Sequence, residues 1–420
     1  MDGERSRPLI YLDHHATTPL DRRVLDAMRP WLEAEFANPA SIEHVMGRTA
    51  EAAVATARRQ VADLINADPR EIIFTSGATE ANNLAIKGTA MFHVKHRARI
   101  GELPGHMVTF ATEHKCVLES CRRLEGEGWR VTRLAPGAGG VPDAAAVAAA
   151  LQPDTRLVSV MAANNEIGVL APLAEIGRLT RARGILLHCD AAQAFGKVAL
   201  DVQAQNIDLM SLSGHKMYGP KGIGVLYVRR RPRVRLEPLF DGGGQEQGLR
   251  AGTLAAPLII GLGEAARLAG LEMAQDAARL DRLAQRLHQR LAQEAGGISL
   301  NGAGQPRLPG SLNLRVAGVA AQDLLAAVPE LCLSTGSACA SGAPEPSYVL
   351  TALGLDRQAA MESFRLAIGR FTSDDQVARA GDLLTAAIGR LRRATPPAAA
   401  SGQASAAPAS TSGKASGTAT

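Results

Sequence analysis

Short apolar runs rich in β-branched residues recur at 72–74, 107–110, 157–161, 185–187, 209–212 and 223–228, and helical stretches separate them. Strands that are apolar on both faces and alternate with helices predict a mostly parallel sheet covered on both sides. The expected fold class is α/β. In such folds functional residues collect in the loops that leave the strands. This chain places polar clusters there: Ser76-Gly-Ala-Thr79-Glu, Glu113-His114, Asn164-Asn165-Glu, Asp190-Ala-Ala-Gln193 and Ser213-Gly-His215-Lys216.

Residues 255–295 read as one long helix rich in Ala, Leu, Arg and Gln, suited to a strut. Beyond it, 311–316 and 331–333 read as strands, with a helix at 322–327 and another after Asp374. The organisation expected is a large domain over 21–255, then a linker helix and a smaller α/β domain over 256–394. Residues 1–20, with a strand-like stretch at 9–12, are assigned to the small domain. After about residue 394 the chain is Pro, Ala, Ser, Gly and Thr with almost no large apolar residue, so 395–420 is expected to be disordered.

Composition narrows the class. With 46% hydrophobic and 21% charged residues in 420, the chain has the make-up of a soluble globular protein. Its longest apolar stretches fall short of the roughly 20 residues that span a bilayer. Residues 1–7 are polar and lack a signal-peptide core. A cytoplasmic protein without membrane contact is expected. Five cysteines, an odd number, argue for free thiols, and no Cys or His spacing suits zinc, so no metal is expected. The net charge is +5, and the densest basic run is Arg229-Arg-Arg-Pro-Arg-Val-Arg235. Without interleaved aromatics it reads as a solvated strand exit rather than a stable nucleic-acid site, with an acidic partner or a transient RNA contact left open.

Five residues carry candidate chemistry. Lys216, in a glycine-rich loop with no acidic neighbour, is an amine able to form a Schiff base with a carbonyl cofactor, unless it is an ordinary solvated lysine. Asp190, beside an apolar strand, is either a helix cap or the partner of a buried cation such as a protonated pyridine nitrogen; the roles are compatible. Thr79 stands at a strand-to-helix turn that suits a phosphate or a simple cap. His114 is a loop imidazole able to stack on a ring and move protons, or a polar surface residue. Cys339, within Ser334-Thr-Gly-Ser-Ala-Cys-Ala-Ser-Gly-Ala-Pro, has the small neighbours an accessible, mobile nucleophile needs. Cys189 and Cys332 read as small core residues; Cys116 and Cys121 stay undecided.

The motifs above, with Thr112-Glu-His-Lys, Gly242-Gly-Gly-Gln-Glu, Gly336-Ser-Ala-Cys and Arg365-Leu-Ala-Ile-Gly-Arg-Phe-Thr372, occur in an order that resembles the pyridoxal-phosphate-dependent cysteine desulfurases. The resemblance runs from Tyr11-Leu-Asp-His-His-Ala-Thr-Thr-Pro19 to Thr372. The cysteine loop is similar to that of the longer-loop group serving iron–sulfur cluster assembly and tRNA thiolation. This resemblance implies fold type I, a homodimer, L-cysteine as substrate and a sulfur-acceptor protein as partner. It implies that Lys216 binds the cofactor covalently, Asp190 pairs with its ring nitrogen and His114 stacks on the ring. Gln193 and Asn165 would address the phenolic oxygen side. Ala78, Thr79, Ser213 and His215 would hold the phosphate, with Thr253 reaching in from the other subunit. Arg365 and Asn38 would hold the substrate carboxylate, and Cys339 would take the sulfur as a persulfide. A selenocysteine lyase shares this scaffold. An aminotransferase of the same fold has no need of Cys339, and a non-catalytic scaffold that binds a sulfur acceptor would lack Lys216, Asp190 or Cys339. The chain departs from the family pattern at Gln247, commonly arginine, and Ala251, commonly serine, which puts the local loop charge and the cross-subunit phosphate contact in question; the spacing around Asn38 also varies.

Overall fold

The strands of the computed structural model, in chain order, are β1 (Ile10–Tyr11), β2 (Ile72–Thr75), β3 (His106–Phe110), β4 (Arg130–Leu134), β5 (Thr155–Met161), β6 (Leu186–Asp190), β7 (Leu209–Ser213), β8 (Gly224–Val228), β9 (Ile298–Leu300), β10 (Ser311–Val316), β11 (Leu331–Cys332) and β12 (Ser363–Ala367). The structure describes residues 9–96, 104–336 and 345–394; Cys339 and the tail expected to be disordered lie outside them. Seven strands form the central sheet, in the order β2-β8-β7-β6-β5-β3-β4. Only β8 runs against its neighbours. The carboxyl ends of β2, β3, β5, β6 and β7 therefore share one edge of the sheet.

The sheet is mixed, with one reversed strand in an otherwise parallel array, as the apolar runs predict. Its outermost strand, β4, was not legible in those runs. Arg-Val-Thr-Arg-Leu alternates, and as an edge strand it is only partly buried, so it lacks the continuous apolar signature of an inner strand. Helices cover both faces. On one face lies the helix that follows β2, α3 (Ala78–His96), which shares a core with Val117, Cys121 and Leu124 of the helix after β3.

The helices that matter for the site are α1 (Arg22–Glu33), α2 (Val45–Leu64), α3 (Ala78–His96), α4 (Lys115–Gly126) and α5 (Ala144–Ala150), followed by α6 (Leu173–Ala182) and α7 (Ala256–Glu294). At 39 residues α7 is about 58 Å long. Its first half packs Ile259, Leu262, Ala265 and Ala269 into the core under the large sheet. Its second half packs Leu280, Leu283, Leu287 and Leu291 into a second core. That core lies against a three-stranded antiparallel sheet, β12-β10-β9. The strand-like N-terminal stretch joins this side, where Ile10 and Tyr11 pair in parallel with Leu331 and Cys332. Strand β12, which carries Arg365, is not among the strands expected from the sequence, where its residues stand out only as a motif.

The basic run is corrected at its first residue. Arg229 is 5% exposed, and its guanidinium donates to the carbonyls of Ile207 and Val202 and to Gln203. It is a buried tie between the ends of β7 and β8. Arg230, Arg231, Arg233 and Arg235 are exposed.

Candidate active site

The loops after β2, β3, β5, β6 and β7 contribute to one cavity of about 500 Å³ at the common edge. After β2 come Ser76, Gly77, Ala78 and Thr79; after β3, His114; after β5, Asn165; after β6, Asp190 and Gln193; after β7, Ser213, His215 and Lys216. Residues far apart in sequence meet because the parallel strands all deliver their carboxyl ends to this edge.

Lys216 closes the short turn Gly214–Lys216 directly after β7. Burial pushes its amine below the ordinary lysine range, and the Asp190 carboxylate partly offsets this. Asp190 is 5% exposed and accepts from Asn82 Nδ2 at 2.7 Å and from the Ala192 N–H at 3.0 Å. The second bond is the capping contact expected of it, and the first comes from a residue the sequence reading overlooked. His114 caps α4, its Nδ1 accepting from the Cys116 N–H at 3.2 Å. Burial lowers its basicity, opposed by Asp190. The His215 Nδ1 meets Thr17 Oγ1 at 3.0 Å, and burial holds the imidazole neutral, its pKa lowered to about 4.

The turn after β2 offers first-turn N–H groups of α3 that have no intrahelical acceptor. Glu80 stands at this turn, yet its charge is engaged by the Ser76 N–H and by Arg250 Nε at 3.0 Å. Gln193 is held from both ends: its Nε2 donates to the His15 carbonyl at 2.8 Å and its Oε1 accepts from Lys197 Nζ at 3.1 Å. Among the described residues, Asn165 Oδ1 is buried with no hydrogen-bond partner, a polar atom able to receive a donor, on a residue that lines the cavity.

Three expected residues stand apart. Arg365 does not line the cavity; it donates to Asp13 Oδ1 at 2.7 Å and to the Asn165 carbonyl at 2.8 Å, and its buried Nε has no partner among the described residues. Asn38 caps its own turn through the Ala40 N–H and, with Thr253, lines a separate pocket bounded by Arg58 and Glu246. A single chain thus does not bring Asn38 or Thr253 to Lys216, because the loops that carry them fold over α2 instead. Gln247, at φ 58°, donates to the Arg70 carbonyl at 2.8 Å, a neutral contact that keeps the loop against the start of β2.

The sequence gives no role to Asn82, Lys197 or the Ala16–Thr17 pair and leaves Cys116 undecided, yet all lie in or against this cavity. Asn82 had a usable signal: it is three residues after Thr79, hence on the same face of α3.

These residues fit pyridoxal phosphate. A buried amine of lowered basicity, a buried carboxylate for a ring nitrogen, a flat imidazole and a helix start for phosphate surround a space of the right size. The family model of Aminotransferase class-V matches residues 10–379. The chain belongs to the class-V aminotransferase family and is an enzyme of that family. The cysteine desulfurase of Mus musculus is 52% identical over 390 residues, which cover 93% of this chain and 83% of the mouse protein. A NifS-like protein of solved structure superposes with a TM-score of 0.81 at 31% identity, over 92% of this chain and all of the other. SspA, solved in complex with cysteine, is 39% identical with a TM-score of 0.74, over 86% of this chain and 99% of its own. Within the family, the chain falls in the cysteine desulfurase branch, and its architecture is the fold type I expected from the motifs.

Proposed function

We propose that this enzyme converts L-cysteine to L-alanine with pyridoxal phosphate as cofactor and keeps the sulfur as a persulfide on Cys339. The observation that carries the reading is the convergence of Lys216, Asp190 and His114 on one cavity at the carboxyl edge of the sheet. When bound, the cofactor supplies an electron sink that makes the substrate α-proton removable and the carbon–sulfur bond breakable. Asp190 would hold the ring nitrogen protonated, and Ala78, Thr79, Ser213 and His215 would bind the phosphate. His114 would lie on the ring face, with Gln193 and Asn165 at its phenolic oxygen. Lys216, its amine made less basic by burial, moves the proton at the substrate α-carbon. Arg365, with one guanidinium nitrogen unpaired among the described residues, would donate to the substrate carboxylate in a charge-assisted pair. The Cys339 thiolate then attacks the substrate sulfur. A sulfur–sulfur bond forms as the carbon–sulfur bond breaks, and its electron pair stays with the carbon skeleton, which takes a proton and leaves as alanine.

A homodimer is part of the proposal. Phe36, Ile42, Val45 and Phe240 are large apolar residues between 54% and 74% exposed, on the same two segments that carry Asn38 and Thr253. Pairing two copies there would cover them and could deliver Thr253 to the partner's phosphate turn. The sulfur would pass to an acceptor protein for iron–sulfur cluster assembly or tRNA thiolation, in a compartment that keeps thiols reduced, as in the cytoplasm; the four described cysteines are all free. The domain division at about 255 is likewise proposed from the two cores. Two variants test the reading. Lys216→Ala should lose the visible absorbance of covalently held pyridoxal phosphate, and Cys339→Ser should keep that absorbance while making no persulfide. Normal turnover of cysteine by Cys339→Ser would overturn the proposal.

A further inference from the structure

Cys116 is a pocket-lining thiol with no part in the chemistry above. Its surroundings are specific. Its Sγ lies 3.0 Å from His114 Nδ1 and 3.1 Å from Asn82 Nδ2. The same Asn82 amide nitrogen donates to Asp190 Oδ2 at 2.7 Å. Asn82 is fully buried, and both of its amide hydrogens are used by these two contacts. The Cys116 backbone N–H also points at His114 Nδ1, at 3.2 Å.

Donor and acceptor directions leave one consistent arrangement. A backbone N–H can only donate, so His114 Nδ1 must accept and cannot carry a hydrogen. The Asn82 amide likewise only donates, so Cys116 Sγ accepts from it and has its own S–H left to give. Among the described residues the acceptor beside that hydrogen is Nδ1, whose single lone pair it shares with the backbone N–H. The chain then reads from Asp190, through Asn82 and Cys116, to His114 without a conflict. Burial supports this by pushing the Cys116 thiol up to about 12, so the sulfur keeps its hydrogen near neutral pH.

We propose that Cys116 is a positioning residue: with its own backbone N–H, and oriented by Asn82, it locks His114 in the neutral tautomer that carries hydrogen on Nε2. His114 then presents a donor, not a base, at its free nitrogen, and proton removal from substrate falls to Lys216. The charged and titratable groups that face His114 are Asp190 and Lys216 from the strand ends, Lys115 on its own helix, and Cys116. Glu113, the residue before it, is fully buried, and burial pushes its carboxyl well above the ordinary range. Protonating Nδ1 requires giving up two donors, which holds the imidazole neutral. The proposal rests on the cofactor-site reading for its catalytic meaning, while the tautomer itself does not.

The test is the side-chain nitrogen spectrum of ¹⁵N-histidine-labelled holoenzyme, with His114 assigned by difference from His114→Gln. Wild type should show Nε2 protonated and Nδ1 bare. Cys116→Ser, which keeps a donor, should match it; Cys116→Ala should show both tautomers. The acid limb of cofactor absorbance against pH should move up by about half a pH unit in Cys116→Ala and return in Cys116→Ser. A wild-type His114 protonated on Nδ1, or a Cys116→Ala enzyme unchanged in both tautomer and pH profile, would overturn the proposal. If Cys116→Ala does not fold, the wild-type and Cys116→Ser spectra decide alone. The same spectrum taken on cofactor-free protein separates this proposal from the desulfurase reading, which could fail without moving the tautomer.

Discussion

Glu246 is expected to be the anchor of the phosphate turn, although it lies outside the cavity. Its side chain is 2% exposed and forms a bidentate pair with Arg58, at 2.6 and 2.9 Å. It also accepts from the Phe74 N–H of β2 at 2.7 Å, and the Arg58 guanidinium lies over the Phe74 ring at 4.5 Å. Strand β2 leads directly into Ser76–Glu80, so this pair fixes where that turn begins. In Glu246→Ala, Arg58 loses its partner at 19% exposure and Phe74 loses its acceptor. Breaking a buried pair from one side costs about 3–5 kcal/mol. At about 2 °C per kcal/mol for a large chain, the melting temperature should fall by roughly 6–10 °C. Glu246→Gln keeps the shape and one acceptor oxygen and should lose about half as much. Calorimetry at one fixed protein concentration, with and without pyridoxal phosphate, measures both. A Glu246→Ala protein that melts within a degree of wild type would refute the reasoning, since the pair would then be contributing nothing net.

Three other outcomes follow from the same geometry. His188 is fully buried between Ser159 and Ser211 and lowered to about 4; the unfolded state therefore binds its proton first, and stability is lost as pH falls from about 6.5 toward 4. The wild-type advantage over His188→Gln in urea should shrink by about 1.4 kcal/mol per pH unit across that window, and a pH-independent difference would count against it. Lys197 is buried, repelled by Lys216 and Arg365, and lowered to about 7, so Lys197→Met should be more stable at pH 7 by on the order of 2 kcal/mol. That gain should shrink by pH 9.5, where the unfolded lysine is also losing its proton, while cofactor affinity falls because Gln193 loses its donor; urea melts at the two pH values and a binding titration check both halves. At Gly88 a Cβ would sit 2.7 Å from the Glu237 carbonyl, so Gly88→Ala should cost about 1–2 kcal/mol despite better helix propensity, read as a lower urea midpoint.

The inner strands were legible because each is a continuous apolar run between helices, and the strand-end motifs carried Lys216, Asp190, His114, Gln193 and Thr79 to one edge by topology alone. What sequence could not show has identifiable physical causes. β4 is half-exposed and alternates, so it lacks an inner strand's signature. Arg229 looked like one of several solvated arginines because nothing local reveals the carbonyls of Val202 and Ile207 that bury it. Asn82 lies on α3 among mostly apolar buried neighbours and Cys116 in the first turn of the amphipathic α4, and their importance comes from contacts across 34 and 108 positions. Arg365 illustrates the opposite limit: its motif marks it, but its pairing with Asp13, two residues past β1, depends on a fold that brings the N-terminal segment onto β12.

The most direct test of the central claim is to incubate the purified enzyme with pyridoxal phosphate and L-cysteine, then measure alanine and map added sulfur by mass spectrometry of the Cys339 peptide. The account predicts alanine together with one extra sulfur on Cys339, and neither in Lys216→Ala. Alanine formed with Cys339 unmodified and dispensable, or no alanine from a fully loaded enzyme, would contradict it.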